Sequence, residues 1–320
     1  MTYKTNHRAR KTQNLLLTLA LVMTCYFGLQ FLNFSTPSKT DDGQYTNYIN
    51  EHYKIFALDM PDTLSFAGES VPMNLVDVKE RFDREMLVNT YWQSQGLLFH
   101  KRANRWFPTI EQIFEEEGIP DDFKYLAVAE SGLSNVISSA NAVGFWQFLK
   151  GTGKQYKLEI RDGIDERYNV EKSTRAAAKM LKELNKKYGS WTMAAAAYNL
   201  GQGNLDKQIA RQKTSSYYDL LLVDETSRYV FRIMAIKEIL SNSNKYGFHF
   251  RPQDLYKPYE TRTINIDSSV DDFATFANQY GITYKTLKIL NPWLRDSFLN
   301  NTSGKIYELK IPAKDYKGLK

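Results

Sequence analysis

The chain has 320 residues, with 42 Lys and Arg against 36 Asp and Glu, for a formal charge of +6; much of that excess lies in the N-terminal tail, so charge points only weakly to an anionic polymer or lipid surface. Beyond the tail, basic residues are interspersed with acids and build no recognition motif, which argues against nucleic acid; with no phosphate-binding loop and no His/Cys cluster in the sequence, no metal or other cofactor is expected. Cys25 is the sole cysteine, so an intrachain disulfide is excluded.

Lys4, His7, Arg8, Arg10 and Lys11 make residues 1–14 a basic tail, and an apolar run follows at 15–34. That run is long enough to cross a bilayer, which takes about 20 residues. A cleaved signal peptide is the close rival, but the run exceeds the usual length and shows no small-residue cleavage site. Lipid attachment at Cys25 fits poorly with Met23-Thr24 before it and apolar residues after it. The expectation is an uncleaved transmembrane helix with a cytoplasmic N-terminus and the remainder outside. Residues 35–65, opening on a polar stretch with Pro37, Gly43 and several acids, read as a linker from membrane to a folded body.

That body is expected over residues 66–250 and to be mainly α-helical. Phe66-Ala67-Gly68-Glu69 and Val71-Pro72 form a compact lead-in, and Val78, Phe82 and Met86 begin a helical region. Pro120, Asp121 and Asp122 read as a helix start, because proline is tolerated in the first turn and acids are favoured by the dipole. Phe123, Leu126 and Ala127 then fall at i, i+3 and i+4, and the next member of the stripe is Glu130. Gly132 is the expected stop, leaving Glu130 in the last turn, where both burial and the negative end of the dipole push its pKa upward. A carboxyl kept neutral near pH 7 suits a general acid. Capping of the helix by a solvated Glu130 is the plain structural alternative.

Further along, Ala140–Gly144 is small and flexible, and Trp146-Gln147-Phe148 sets an amide between two rings, a mixture that suits sugar hydroxyl and acetamido groups as well as apolar sugar faces. Aromatic residues so spaced are also common in ordinary cores. Asp162, Asp165 and Glu166 read as a solvated turn, with Asp165 and Arg167 able to pair. Ser190 can cap a helix through Trp191, Met193 and the Ala194–Ala197 run; Tyr198-Asn199 stands at its end before Gly201 and Gly203, so two helix ends can converge on one cleft. Glu225 stands at the start of a helix expected over 226–240, as a second acid or as a helix-start residue favoured by the dipole. Beyond this region, Thr261–Ile266 alternates like a strand; Val270, Phe273, Ala274 and Ala277 mark a helix ending near Gly281, a second helix covers Tyr284–Leu290, and Ile306–Ile311 returns as a strand. This βααβ unit forms a small α+β domain at 258–314.

The set Glu130-Ser131, Gly144-Phe145-Trp146-Gln147, Ala197-Tyr198-Asn199 and Glu225-Thr226 with Tyr229-Val230 resembles the soluble lytic transglycosylase family and, within it, the membrane-bound murein enzymes. The match runs from about Val78 to Leu240, with the motifs in the family's order. The resemblance implies a lysozyme-like helical domain in the periplasm acting on peptidoglycan glycan strands, with Glu130 as acid and then base. It implies that Ser131, Gln147, Tyr198 and Asn199 hold the substrate and position the acid, and Gly144, Trp146, Glu225 and Tyr229 complete the expected binding set. The implied reaction cleaves the MurNAc-GlcNAc β-1,4 bond without water and leaves a 1,6-anhydroMurNAc end, so one acid suffices. Val223, Phe231, Lys150 and Leu200 depart from the family pattern and bear on loop stiffness and groove shape. The 258–314 unit resembles a LysM module, although Asp267-Ser268-Ser269 replaces the usual opening turn, and either glycan binding or plain packing is open to it. The rival readings are a goose-type lysozyme-like hydrolase and a non-catalytic wall-binding scaffold; no protein partner is implied.

Overall fold

The computed structural model describes residues 54–316, 318 and 319, together with Asn47 and Glu51. The expected tail and span at 1–34 lie outside the described residues, as does most of the linker. Among the described residues no helix is long and apolar enough to cross a membrane.

The lead-in at 66–72 is a hairpin, β1 (Ser65–Phe66) with β2 (Glu69–Ser70), turned by Ala67 and Gly68 at φ 51° and 81°. Positive φ at both central residues is the turn whose twist matches paired strands. The Glu69 carboxylate then caps another element. It accepts from the backbone N–H groups of Trp191 (2.5 Å) and Thr192 (3.0 Å) and from the Ser190 hydroxyl (2.8 Å). Although burial works against its charge, these donors and the Thr192 hydroxyl hold the Glu69 carboxyl below its ordinary pKa.

Helices build the rest of this domain. α1 (Val76–Tyr91) buries Val78, Phe82 and Met86, and α2 (Gln93–Glu117) runs on past an internal Pro108 to Gly118, left-handed at φ 64°. A 3-10 turn at Asp121–Phe123 leads into α3 (Lys124–Ser131), and α4 (Lys150–Gln155) follows a long loop. The hairpin β3 (Ile160–Arg161) with β4 (Ile164–Asp165) precedes α5 (Val170–Tyr188), whose N-cap Asn169 accepts from Lys172 N–H. Ser190 caps α6 (Trp191–Leu200) as expected, with α7 (Gln202–Gln212) after it. α8 (Asp224–Ser241) starts two residues before its expected position, with Asp224 and Glu225 in its first turn, and packs against α1, α3 and α6. The Ala194–Ala197 run is wholly buried, and these small side chains let the backbones of α6 and its neighbours α5 and α8 approach closely.

The C-terminal unit has the expected order: β5 (Thr261–Ile266), α9 (Phe273–Gln279), α10 (Tyr284–Leu290) and β6 (Tyr307–Pro312), with β5 and β6 antiparallel. Val270 is not helical; it bridges Leu299. Of the residues expected in a solvated turn, Asp162 is exposed, but the expectation is corrected for Glu166, which is buried, its carboxylate accepting from Glu159 N–H (2.8 Å) and pairing with Lys172 (2.5 Å). The expected Asp165–Arg167 pair is present at 2.7 Å and is itself largely buried.

Candidate active site

Glu130 occupies the last turn of α3. Phe123, Leu126 and Ala127, the stripe below it, are 0% exposed, so the same helical face that fills the core carries the carboxyl to the core's edge. Gly132 ends the helix at φ 59°, and its N–H donates to Val128 O. A Cβ there would lie 2.9 Å from the Phe99 ring and 3.0 Å from Gln95 Nε2, so the turn that exposes Glu130 requires glycine on conformation and space alike. Glu130 is partly buried, and the Tyr229 hydroxyl, from α8, donates to its Oε1. Burial pushes the Glu130 carboxyl up to about 7, and the Glu225 charge adds to the rise; the Tyr229 hydrogen bond and Arg232 pull the other way. Burial and the neighbouring Glu130 charge raise the hydroxyls of both Tyr198 and Tyr229 well above the ordinary tyrosine range. The ends of α3 and α6 and the start of α8 therefore meet around one carboxyl, the convergence expected from the helix stops.

The loop 141–148 forms a wall beside this carboxyl, and most of the remaining expected residues tie it down. Successive carbonyls are each held by a side chain: Gly144 O accepts from Gln147 Nε2 (2.7 Å), Phe145 O from the Ser131 hydroxyl (2.9 Å) and Trp146 O from the Tyr198 hydroxyl (2.7 Å). Gln147 also donates to Val136 O (3.2 Å) and stands at φ 48°, a left-handed conformation uncommon for a residue with a side chain. Gly144 is at φ 82°, and a Cβ on it would lie 2.2 Å from Arg167 O; its contribution is close backbone approach. Ser131, Gln147 and Tyr198, expected to hold substrate, thus spend these donors on the loop. For Trp146 the expectation is corrected: it is 0% exposed with its indole N–H donating to Thr174 Oγ1 (2.9 Å), so its ring presents no face to a ligand. Asn199 Oδ1 accepts from the Thr226 hydroxyl (2.7 Å), joining the end of α6 to α8. Glu225 is exposed in the first turn of α8, close enough for its charge to act on Glu130.

The sequence reading missed a buried ionic support. Glu85 of α1 is 1% exposed and meets Arg84 (2.5 Å), Arg228 (3.3 Å) and Arg232 (3.4 Å). It fixes Arg232, the cation that acts against the Glu130 shift. The only sequence signal was Arg228 and Arg232 at i, i+4 on the helix that also carries Tyr229. Arg167 was read only as a local partner of Asp165, yet its guanidinium also donates to Asn141 O (3.3 Å) and Phe148 O (3.0 Å), clasping both ends of the loop. Cavities of about 220 Å³, bordered by Trp106, Tyr168, Tyr259, Asn291 and Trp293, and of about 320 Å³, bordered by His100, Phe107 and Phe250, lie away from Glu130. Among the described residues no group of three or more His, Cys, Asp or Glu comes together to hold a metal ion.

A half-neutral carboxyl at the rim of a core, hydrogen-bonded by one phenol and walled by a pinned loop, can give a proton at neutral pH and take it back. Comparison with known proteins bears on which bond it would act upon. The family model described as the transglycosylase SLT domain matches residues 110–221, and that of the soluble lytic transglycosylase C-terminal LysM-like domain matches residues 262–315. Proteins named membrane-bound lytic murein transglycosylase D from Escherichia coli strain K12 and from E. coli O6:H1 strain CFT073 are each 31% identical over 262 residues, covering 79% of this chain and 56% of theirs. A protein of Alteromonas sp. strain M-1 named for tributyltin chloride resistance is 31% identical over 117 residues, 36% of this chain and 56% of its own. The chain spans about half the length of the curated relatives it matches.

Proposed function

We infer, from the matches to the transglycosylase SLT domain and to the soluble lytic transglycosylase C-terminal LysM-like domain, a peptidoglycan lytic transglycosylase that cleaves the MurNAc-GlcNAc β-1,4 bond and leaves a 1,6-anhydroMurNAc end. The observation that carries the reading is Glu130, raised to about 7 by burial and hydrogen-bonded by Tyr229. Such a carboxyl is substantially protonated at neutral pH, as a general acid must be.

In the first step the Glu130 proton passes to the bridging oxygen as the C1–O bond breaks and positive charge develops at C1 of the muramic residue. In the second, the Glu130 carboxylate takes the proton of that residue's C6 hydroxyl while its oxygen bonds to C1. The acid ends as it began, and no water is consumed. Attack from within the same sugar carries a large effective concentration, which replaces the second carboxylate that water-delivering glycosidases use. Tyr229 supports the charged form between the steps. Ser131, Gly144, Gln147 and Tyr198 shape the loop against which the glycan lies, and Asn199 and Glu225 stand at its edge.

In this reading residues 66–250 are the lysozyme-like transglycosylase domain and 258–314 the LysM-like domain, while 15–34 anchor the chain in a membrane with residues 1–14 cytoplasmic and the enzyme in the periplasm. The apolar run in the sequence supports the anchor, and the relatives named membrane-bound agree with it. Glu130→Gln tests the acid. Anhydromuropeptide release from purified sacculi should fall by at least about 1,000-fold with circular dichroism and sacculus binding unchanged, a loss scaled to removal of acid and base together; retained release would overturn the assignment.

A further inference from the structure

We propose that the LysM-like domain serves this enzyme as a brace for the loop 141–148, acting through the 160–167 hairpin. The inference rests on the transglycosylase reading for its catalytic consequence and on geometry for the rest.

The two domains share a core. Val143, from the loop itself, Ile164 and Tyr168 are buried in one apolar cluster with Phe273, Leu287, Trp293, Leu294 and Leu309 of the C-terminal unit. The segment 292–300, between α10 and β6, is joined to the β3–β4 hairpin by backbone: Asp165 N–H donates to Trp293 O (2.9 Å), Arg295 N–H to Gly163 O (2.8 Å), and Leu294 bridges Ile164. Side chains close the joint. The Arg295 guanidinium lies 4.0 Å from the centre of the Tyr168 ring, Arg161 donates to Asn300 O (3.0 Å), and Glu159 accepts from the Tyr307 hydroxyl (2.9 Å) and pairs with Lys305. The hairpin leads straight into Asp165 and Arg167. Arg167, oriented by Asp165, clasps Asn141 O and Phe148 O, while its own carbonyl sits where a side chain on Gly144 would be. From Trp293 to the carbonyl that Ser131 holds beside Glu130, each step is a hydrogen bond or packed contact.

The same joint takes the rings of Trp293 and Tyr307 out of solvent, each 2% exposed. A free glycan-capturing arm would keep such rings in solvent. What the domain buries instead is the hairpin that sets the catalytic loop.

The test uses the full chain carrying Arg161→Ala with Arg295→Ala, and separately Gln279→Ala with Tyr280→Ala, which removes an exposed amide and an exposed ring of the same domain at the end of α9 opposite Phe273, the residue that meets the joint segment. The first pair should speed hydrogen exchange at the amides of Val143, Gly144 and Phe148, and lower kcat on soluble glycan strands by about two- to thirtyfold, the range for changes transmitted through intermediary packing, with KM held within about twofold. The second pair should leave loop exchange and kcat unchanged. Unaltered loop exchange in the first pair overturns the brace, as does a raised KM with kcat intact in either pair, the signature of a capture arm. Exchange is read without turnover, so a wild-type chain that released no anhydro product would count against the proposed function, while the exchange result would still decide the brace.

Discussion

Glu130 is a carboxyl whose neutral form the fold prefers, and this has a consequence for stability as well as for chemistry. Its pKa rises from 4.5 to about 7 on folding. Below the unfolded value both states are protonated, and the stability that the neutral carboxyl contributes is fully present; it is lost as pH rises through about 7. Glutamine cannot ionise. Glu130→Gln should therefore gain on the wild type between about pH 4 and pH 8 by roughly 3 kcal/mol, the equivalent of the shift at about 1.4 kcal/mol per unit. Urea unfolding at the two pH values checks this, and a difference independent of pH would contradict it. Turnover should fall over the same upper window as the acid form is depleted. At this scale the sequence reading found Glu130 from an apolar stripe that ended on an acid, because helical periodicity is a local property. It could not find Glu85, whose partners Arg228 and Arg232 lie more than a hundred residues away on another helix. Nor could spacing tell that Trp146 faces Thr174 in the core, since an aromatic beside an amide reads alike in either setting.

The elements that begin or end on strong chemical signals were read closely. Ser190 caps, Gly132 stops, and the strand 261–266 and helix 284–290 have the bounds the sequence suggested. Of the loop 141–148 the sequence reading had Ala140–Gly144 as flexible and Trp146-Gln147-Phe148 as suited to sugar, and neither reading contained what holds the loop in place. Its conformation is imposed from outside, by Ser131, Tyr198 and Arg167, none of which belongs to it. Gly144 is where that imposition is tightest. Gly144→Ala adds a methyl 2.2 Å from Arg167 O at a φ of 82° and should cost about 2–4 kcal/mol, seen as a lowered Tm with a larger loss of turnover. Gly118→Ala, also left-handed but with nothing within 4 Å, should cost about 1 kcal/mol. Equal costs at the two sites would show that the approach of Arg167 does not matter.

On the scale of the whole molecule, the helical and C-terminal units are distinct in chain order but continuous in packing. The sequence reading set the helical body at 66–250 and the βααβ unit at 258–314; the apolar cluster shared by Val143, Ile164, Tyr168 and the βααβ unit is a long-range fact that no window of sequence contains. Calorimetry of the chain should accordingly show one unfolding transition for residues 57–320, because unfolding the C-terminal unit uncovers core side chains of the helical one. Two well-separated transitions would mean that the shared cluster contributes little. The central claim, that one neutral carboxyl lets the glycan supply its own nucleophile, is tested most directly by digesting purified sacculi in water labelled with heavy oxygen and weighing the released muropeptides. The account predicts fragments one water lighter than hydrolysis products and free of label; fragments with reducing ends that carry the heavy oxygen would contradict it.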